Sequence, residues 1–191
     1  QRIAPMFRLI DTAHSFSRVL VWIGGVMILG SAFLVTFEVF ARKLFNYSIG
    51  GADEISGYAF GVATTLGLAF ALFERAHIRV DALFILLPRF LRIILNFFGL
   101  ALMIGFAAII AFMAWDMVAD TMKHGSRSIT PMRTPLAWPQ IPWLIGWVLF
   151  VAAGALLFAG ALWAVIKGDA SKADQLIGVK TLDEQIEDET V

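Results

Sequence analysis

The chain has no cysteine, which excludes disulfide frameworks, thiolate metal centres, iron–sulfur clusters and dithiol–quinone chemistry. Charge is scarce as well. Only 16% of the 191 residues are charged, and 15 basic and 15 acidic side chains cancel to a net charge of zero. A soluble protein of this size needs polar groups over most of its exterior, and so few charges do not cover it. Without a net positive field, nothing draws the chain to nucleic acid. No nucleophile elbow, phosphate-cradling glycine loop or metal-binding His/Glu spacing occurs, so the expectation is a non-enzyme with no catalytic, cofactor-binding or metal-ligating residues.

What is present is hydrocarbon-compatible length. Hydrophobic residues make up 59% of the chain and the mean hydropathy is +0.79. A helix needs roughly 20 apolar residues to cross a hydrocarbon core about 30 Å thick. Four runs qualify, at about 19–37, 55–73, 93–115 and 141–166. The first is too long for a signal-peptide core and is followed by Arg42-Lys43 instead of a cleavage site, so it reads as a retained span. The fold class expected is an all-α integral membrane protein: a four-helix membrane domain over 19–166, with interfacial amphipathic helices.

Orientation follows from the basic residues of the short connections. Arg2, Arg8, Arg18, Arg75, Arg79, Arg89, Arg92, Lys167, Lys172 and Lys180 fall on one side, while Arg42, Lys43, Lys123, Arg127 and Arg133 fall on the other. The excess predicts cytoplasmic N- and C-termini.

The flanking segments carry their own patterns. Over 1–18, Ile3, Phe7, Ile10 and His14 recur at helical spacing opposite Arg2, Arg8, Asp11 and Arg18. That suits a helix lying on the membrane face or, equally, a snorkelling start to the first span. The second connection, from His77 to Arg92, mixes Val80, Leu83, Phe84 and Leu87 with Arg79, Asp81 and Arg89, which again suits the interface. The third contains Pro131, Pro135, Pro139 and Pro142 beside Trp138, Trp143 and Trp147. Prolines at this density preclude a continuous helix, tryptophans belong at headgroup depth, and Pro142 is placed to open the last helix. Residues 167–191 form a polar tail ending in an acidic run, read as a solvated segment.

Polar groups inside spans are functional candidates because burying them in lipid is costly. Glu38 lies one turn before Arg42, a spacing that favours an ion pair at the membrane boundary over a proton or ion site. Thr64 and Thr65 are expected to bond back to their own helix, and Asn96 lies near the start of the third span. Asp53 and Glu54 precede the second span, where the helix dipole favours carboxylates. They cap the helix or meet a basic partner surface, and sequence alone does not separate the two. His14, His77 and His124 all fall outside the spans, which argues against the paired intramembrane histidines of a membrane cytochrome. Gly57 and Gly61 form a small-xxx-small step, with Gly67 further along; Gly99, Gly105, Gly146, Gly154 and Gly160 mark later spans. Such residues let helices approach closely, within the chain or with another protein.

Arg42, Phe45-Asn46, Asp53-Glu54, Leu66-Gly67 and His77-Ile78-Arg79-Val80-Asp81, with Pro88 beyond, together resemble the signature region of the small permease subunit of TRAP (tripartite ATP-independent periplasmic) transporters, the DctQ-type family. The chain has Gly51 and Val62 where that family often carries tryptophan. The resemblance implies a bacterial inner-membrane subunit that does not itself carry substrate. It would associate with a large elevator-type permease subunit, and a periplasmic substrate-binding protein would deliver an organic acid for sodium-coupled uptake. It also marks Arg42, Asn46, Asp53, Glu54, Gly67, His77 and Asp81 as motif candidates; the small-residue step adds Gly57 and Gly61 as interface candidates, and membrane lipids are the remaining contact. The competing class is a small cytochrome- or quinone-associated redox subunit.

Overall fold

A computed structural model describes residues 4–48, 50–76 and 88–178. Among the described residues five helices follow one another: α1 (Ala4–Phe45), α2 (Ala52–Phe73), α3 (Arg89–His124), α4 (Ala137–Ile166) and the short α5 (Ala170–Ile177). The first four are long and apolar enough to cross a membrane, and each contains one of the runs found in the sequence.

Helix boundaries follow local chemistry. Between Met6 and Ile23 there is neither proline nor glycine, so no break separates the N-terminal segment from the first span and one helix of 42 residues results. It ends where Asn46 takes a left-handed conformation (φ 51°), which asparagine tolerates better than most residues. Gly125 (φ 61°) ends α3 in the same way. The last helix starts at Ala137, earlier than Pro142 suggested, because Pro139 falls in the first turn, where no intrahelical amide bond is lost. Pro142 lies inside the helix.

The four long helices stand in a row and do not close into a bundle. α1 packs on α2, α2 on α4, and α4 on α3, with only a small contact between α1 and α4. Burial reflects this order. In its most apolar window α1 is 6% buried and α3 17%, against 33% and 39% for α2 and α4. The central pair runs parallel: Gly61 faces Trp143, Thr65 faces Gly146 and Leu72 faces Gly154.

Small residues set the spacing within the row. α4 buries Gly146, Phe150, Ala153, Leu157, Ala161 and Ala164, a three-and-four repeat that presents one narrow face to its neighbours. A Cβ on Gly146 would stand 2.4 Å from Thr65 Oγ1, one on Gly154 2.6 Å from Ile104 Cγ1, and one on Gly160 2.9 Å from Ile10 Cδ1. Lipid offers no hydrophobic drive for helix association, so close backbone approach and the dispersion contacts it permits hold these helices together.

At the end bearing the start of α1, Ile10 is buried against the same core as Ala173 and Ile177 of α5. His14 Nε2 meets Glu74 Oε1 at 2.8 Å and stacks on Phe70. Asn96, 3% exposed, donates to Asp174 Oδ1 of α5 at 3.4 Å. Asp169 caps α5 by accepting from the Lys172 amide at 3.2 Å. That bond, then the Lys172 side chain, holds its carboxyl below the usual carboxylate range. The cap is therefore complete above about pH 4 and is lost as pH falls through the lowered value. Asp169→Ala is expected to speed hydrogen exchange across 171–177, while Asp169→Asn, which keeps a capping oxygen, preserves protection and removes its acid sensitivity.

Candidate functional site

The motif residues within the described part of the chain gather mainly at the other end of the row, here termed the distal end, where α1 finishes and α2 and α4 begin. Glu38, one turn before the motif's Arg42, is buried there, at 2% exposure. A carboxylate so enclosed needs partners, and the last turns of its own helix supply one: Arg42 Nη2 donates to Glu38 Oε1 at 2.8 Å. The chain then doubles back past Asn46, and Ser48 Oγ donates to the same oxygen at 2.5 Å. The pair expected from sequence is present, and Ser48 adds a strap that no helical spacing encodes. Arg42 also lies within the electrostatic reach of Asp53, so charges alternate from α1 to α2.

Asp53 and Glu54 part company in the structure. Both sit in the first turn of α2, whose N-cap, Gly51, offers no side-chain bond. Asp53 points outward and is exposed, a position consistent with dipole compensation. Glu54 reaches across to the α3–α4 connection, where Thr130 Oγ1 donates a short hydrogen bond to Oε2 and Tyr58 OH, one turn along α2, donates to Oε1 at 2.8 Å. The connection itself is a compact hairpin: Ser128 N donates to Thr134 O at 2.9 Å and Leu136 N to Ser126 O at 3.1 Å. Gly51 completes the seat. A Cβ there would fall 1.8 Å from Met132 Sδ, so the hairpin packs where a larger residue would stand. Glu54 is thus a tertiary anchor, a third role beside the two open in the sequence.

The glycines of α2 behave differently from those of α4. Nothing lies within 4 Å of a Cβ built on Gly57 or Gly67, and on Gly61 only Trp143 comes near, at 3.9 Å. Close packing inside the chain falls instead to Gly146, Gly154 and Gly160, and to Gly24, whose Cβ would meet the Ala63 backbone oxygen at 3.2 Å. Asp53, Gly57, Phe60 and Thr64 form the exposed stripe of α2. Gly57 and Gly61 border a groove of about 330 Å³ that Met117, Pro139, Gln140 and Trp143 also line. Thr64 and Thr65 bond back to Phe60 O (2.7 Å) and Val62 O (3.0 Å), as their position in a helix predicts.

His77 and Asp81 lie outside the described residues, as do most of the second connection and the acidic end of the tail. The two described histidines sit at opposite ends of the row, His14 beside Glu74 and His124 beside Asp120 at 3.1 Å. Neither can join the other on one haem. Among the described residues no three His, Asp or Glu side chains converge as a metal site.

The sequence reading missed Gly24, Gly51 and the hairpin residues Ser128 and Thr130. Only Gly24 carried a usable signal, as a small residue within an apolar run. The distal end therefore offers an ionic and hydrogen-bonded frame, which ties the α1–α2 connection to the end of α1 and the α3–α4 hairpin to the start of α2.

No curated protein and no solved structure shows a significant match to the chain. The family model for the DctQ component of tripartite ATP-independent periplasmic transporters matches residues 31–167, a segment running from the middle of α1 to the end of α4. This multi-pass membrane chain therefore belongs to the DctQ family and is a small membrane component of a TRAP transporter.

Proposed function

We propose that the chain is the stationary, bracing subunit of its transporter, and that a larger permease subunit performs the transport itself. The observation that carries this reading is the row. One helix thick, it leaves much of α1 and of α3 exposed, a shape that broadens a membrane footprint without enclosing a passage. Extra spans fixed beside an elevator-type permease would resist tilting as the mobile part moves. The stripe of Asp53, Gly57, Gly61 and Gly67 on the central helix is the surface assigned to the permease, since unfilled small positions accept a close helix. Arg42, Asn46 and Glu54 keep that surface in shape. His77 and Asp81, outside the described residues, belong to the same motif.

In this reading the complex sits in the bacterial inner membrane with the termini of this chain in the cytoplasm. A periplasmic binding protein supplies an organic acid, and sodium drives its uptake. The family and the scarcity of charge within the spans support these assignments. The test is affinity purification of the chain from its native membrane in mild detergent. A large multi-span protein should co-purify, and Gly57→Leu should deplete it several-fold while leaving this chain's own thermal unfolding unchanged. Recovery of the chain alone would refute the reading.

A further inference from the structure

The hairpin between α3 and α4 has a composition and a depth that its anchoring role does not require. Its Ser128, Arg133 and Leu136 amides are paired within the loop, and Glu54 and Gly51 hold it down through Thr130 and Met132. Yet Ile129 is completely exposed, at 104%, on a loop held in shape by its own hydrogen bonds. A large apolar side chain displayed from a fixed loop is costly in water. Arg127 and Arg133 are both exposed beside it. Arg127 Nη1 donates to Arg133 O at 3.3 Å, which leaves most of the five guanidinium donors to face outward.

Depth decides what they face. The register of the central pair sets Gly61 opposite Trp143. Glu54 lies about 10 Å beyond Gly61 along α2, and Trp138 about 8 Å beyond Trp143 along α4, at ~1.5 Å per residue. The two levels nearly coincide. They mark the point where the apolar run of α2 begins, at Ile55, and Trp138 is 73% exposed there, as tryptophan is at headgroup depth. Thr130, bonded to Glu54, holds its neighbour Ile129 at the same level and not far out in solvent.

We propose that this hairpin is a phospholipid-headgroup contact: Ile129 enters the glycerol layer of the leaflet at the distal end, and Arg127 and Arg133 pair with the phosphates of anionic lipids. Arginine binds phosphate through its planar fork, and cations close to an anionic surface add attraction that falls off within a Debye length. The contact is made by this chain alone and does not depend on the bracing role.

The absence of native cysteine makes the test direct. Ile129→Cys, an exposed position, carries an environment-sensitive fluorophore in full-length protein reconstituted into nanodiscs of phosphatidylcholine, with or without phosphatidylglycerol. Asp120→Cys, at a side chain 73% exposed, serves as a second labelling position. The label at 129 should be quenched by lipids spin-labelled near the headgroup and shielded from aqueous iodide. Phosphatidylglycerol should be retained through delipidation on the order of tenfold better than phosphatidylcholine, and Arg127→Gln with Arg133→Gln should abolish that preference. Iodide quenching at 129 equal to that at 120, with no lipid quenching, would overturn the proposal and make the hairpin a knob for a soluble protein. Equal retention of the two lipids by the native sequence would overturn it too.

Discussion

Gly146→Leu is expected to separate α4 from α2 and to abolish recovery of folded protein, the largest effect of any single substitution described here. Even one added carbon at Gly146 comes within 2.8 Å of the Thr65 backbone and 2.4 Å of its hydroxyl. Backbone does not yield as the end of a flexible side chain does, so the two central helices must move apart. Gly146→Ala should already cost about 1–3 kcal/mol, the usual range for overpacking, and should lower the unfolding temperature in detergent. Gly57→Ala provides the contrast. With nothing within 4 Å of its Cβ, it should unfold no earlier than the native chain, and a glycine removed from a helix interior can raise stability. Equal destabilisation by the two alanine substitutions would contradict the packing of the central pair.

Glu54→Ala is expected to release the hairpin over α2 without unfolding the row. It deletes the acceptor for Thr130 and Tyr58 together, and hydrogen bonds to a charged group are stronger than neutral ones. Hydrogen exchange is the suitable measurement, because local opening reports on the hairpin independently of the spans. The amides of Ser128, Arg133 and Leu136, all paired inside the loop, should exchange on the order of tenfold faster, whereas those of the central helices should keep their protection. Glu54→Gln, which retains one acceptor oxygen and the shape of the side chain, should fall between. Asp53→Asn should leave the same amides unchanged, because Asp53 makes no contact with the hairpin. If Asp53→Asn and Glu54→Ala behaved alike, the two carboxylates would share a capping role and the tertiary anchor would be excluded.

The two substitutions probe different parts of one design. Gly146 sets the distance between parallel helices, and Glu54 fixes the hairpin over their distal ends. The proposed bracing role would call on both, since a row with free ends would shear under a moving neighbour. Helix spacing set by glycine is stiff because dense packing leaves no room to slide. The frame of Glu38, Arg42 and Ser48 adds the same constraint to α1, tying its end to the connection that leads into α2.

Four helices long and apolar enough to cross a membrane, the pairing of Glu38 with Arg42, the back-bonding of Thr64 and Thr65 and the family likeness were all legible in the sequence. Each depends on residues close together along the chain: hydrocarbon thickness sets a run length, and one helical turn sets an ion-pair spacing. The order of helices in the row, its open form, the unfilled Gly57 and Gly61, the close approach of Gly146 to Thr65 and the capture of Glu54 by Thr130 were decided only by the tertiary structure. The last of these contacts joins residues 76 positions apart. Lipid solvates every apolar helix face about equally well, so hydrophobicity does not select a neighbour. That choice is left to the fit of small residues and a few polar bonds, and both exist only once the helices are side by side.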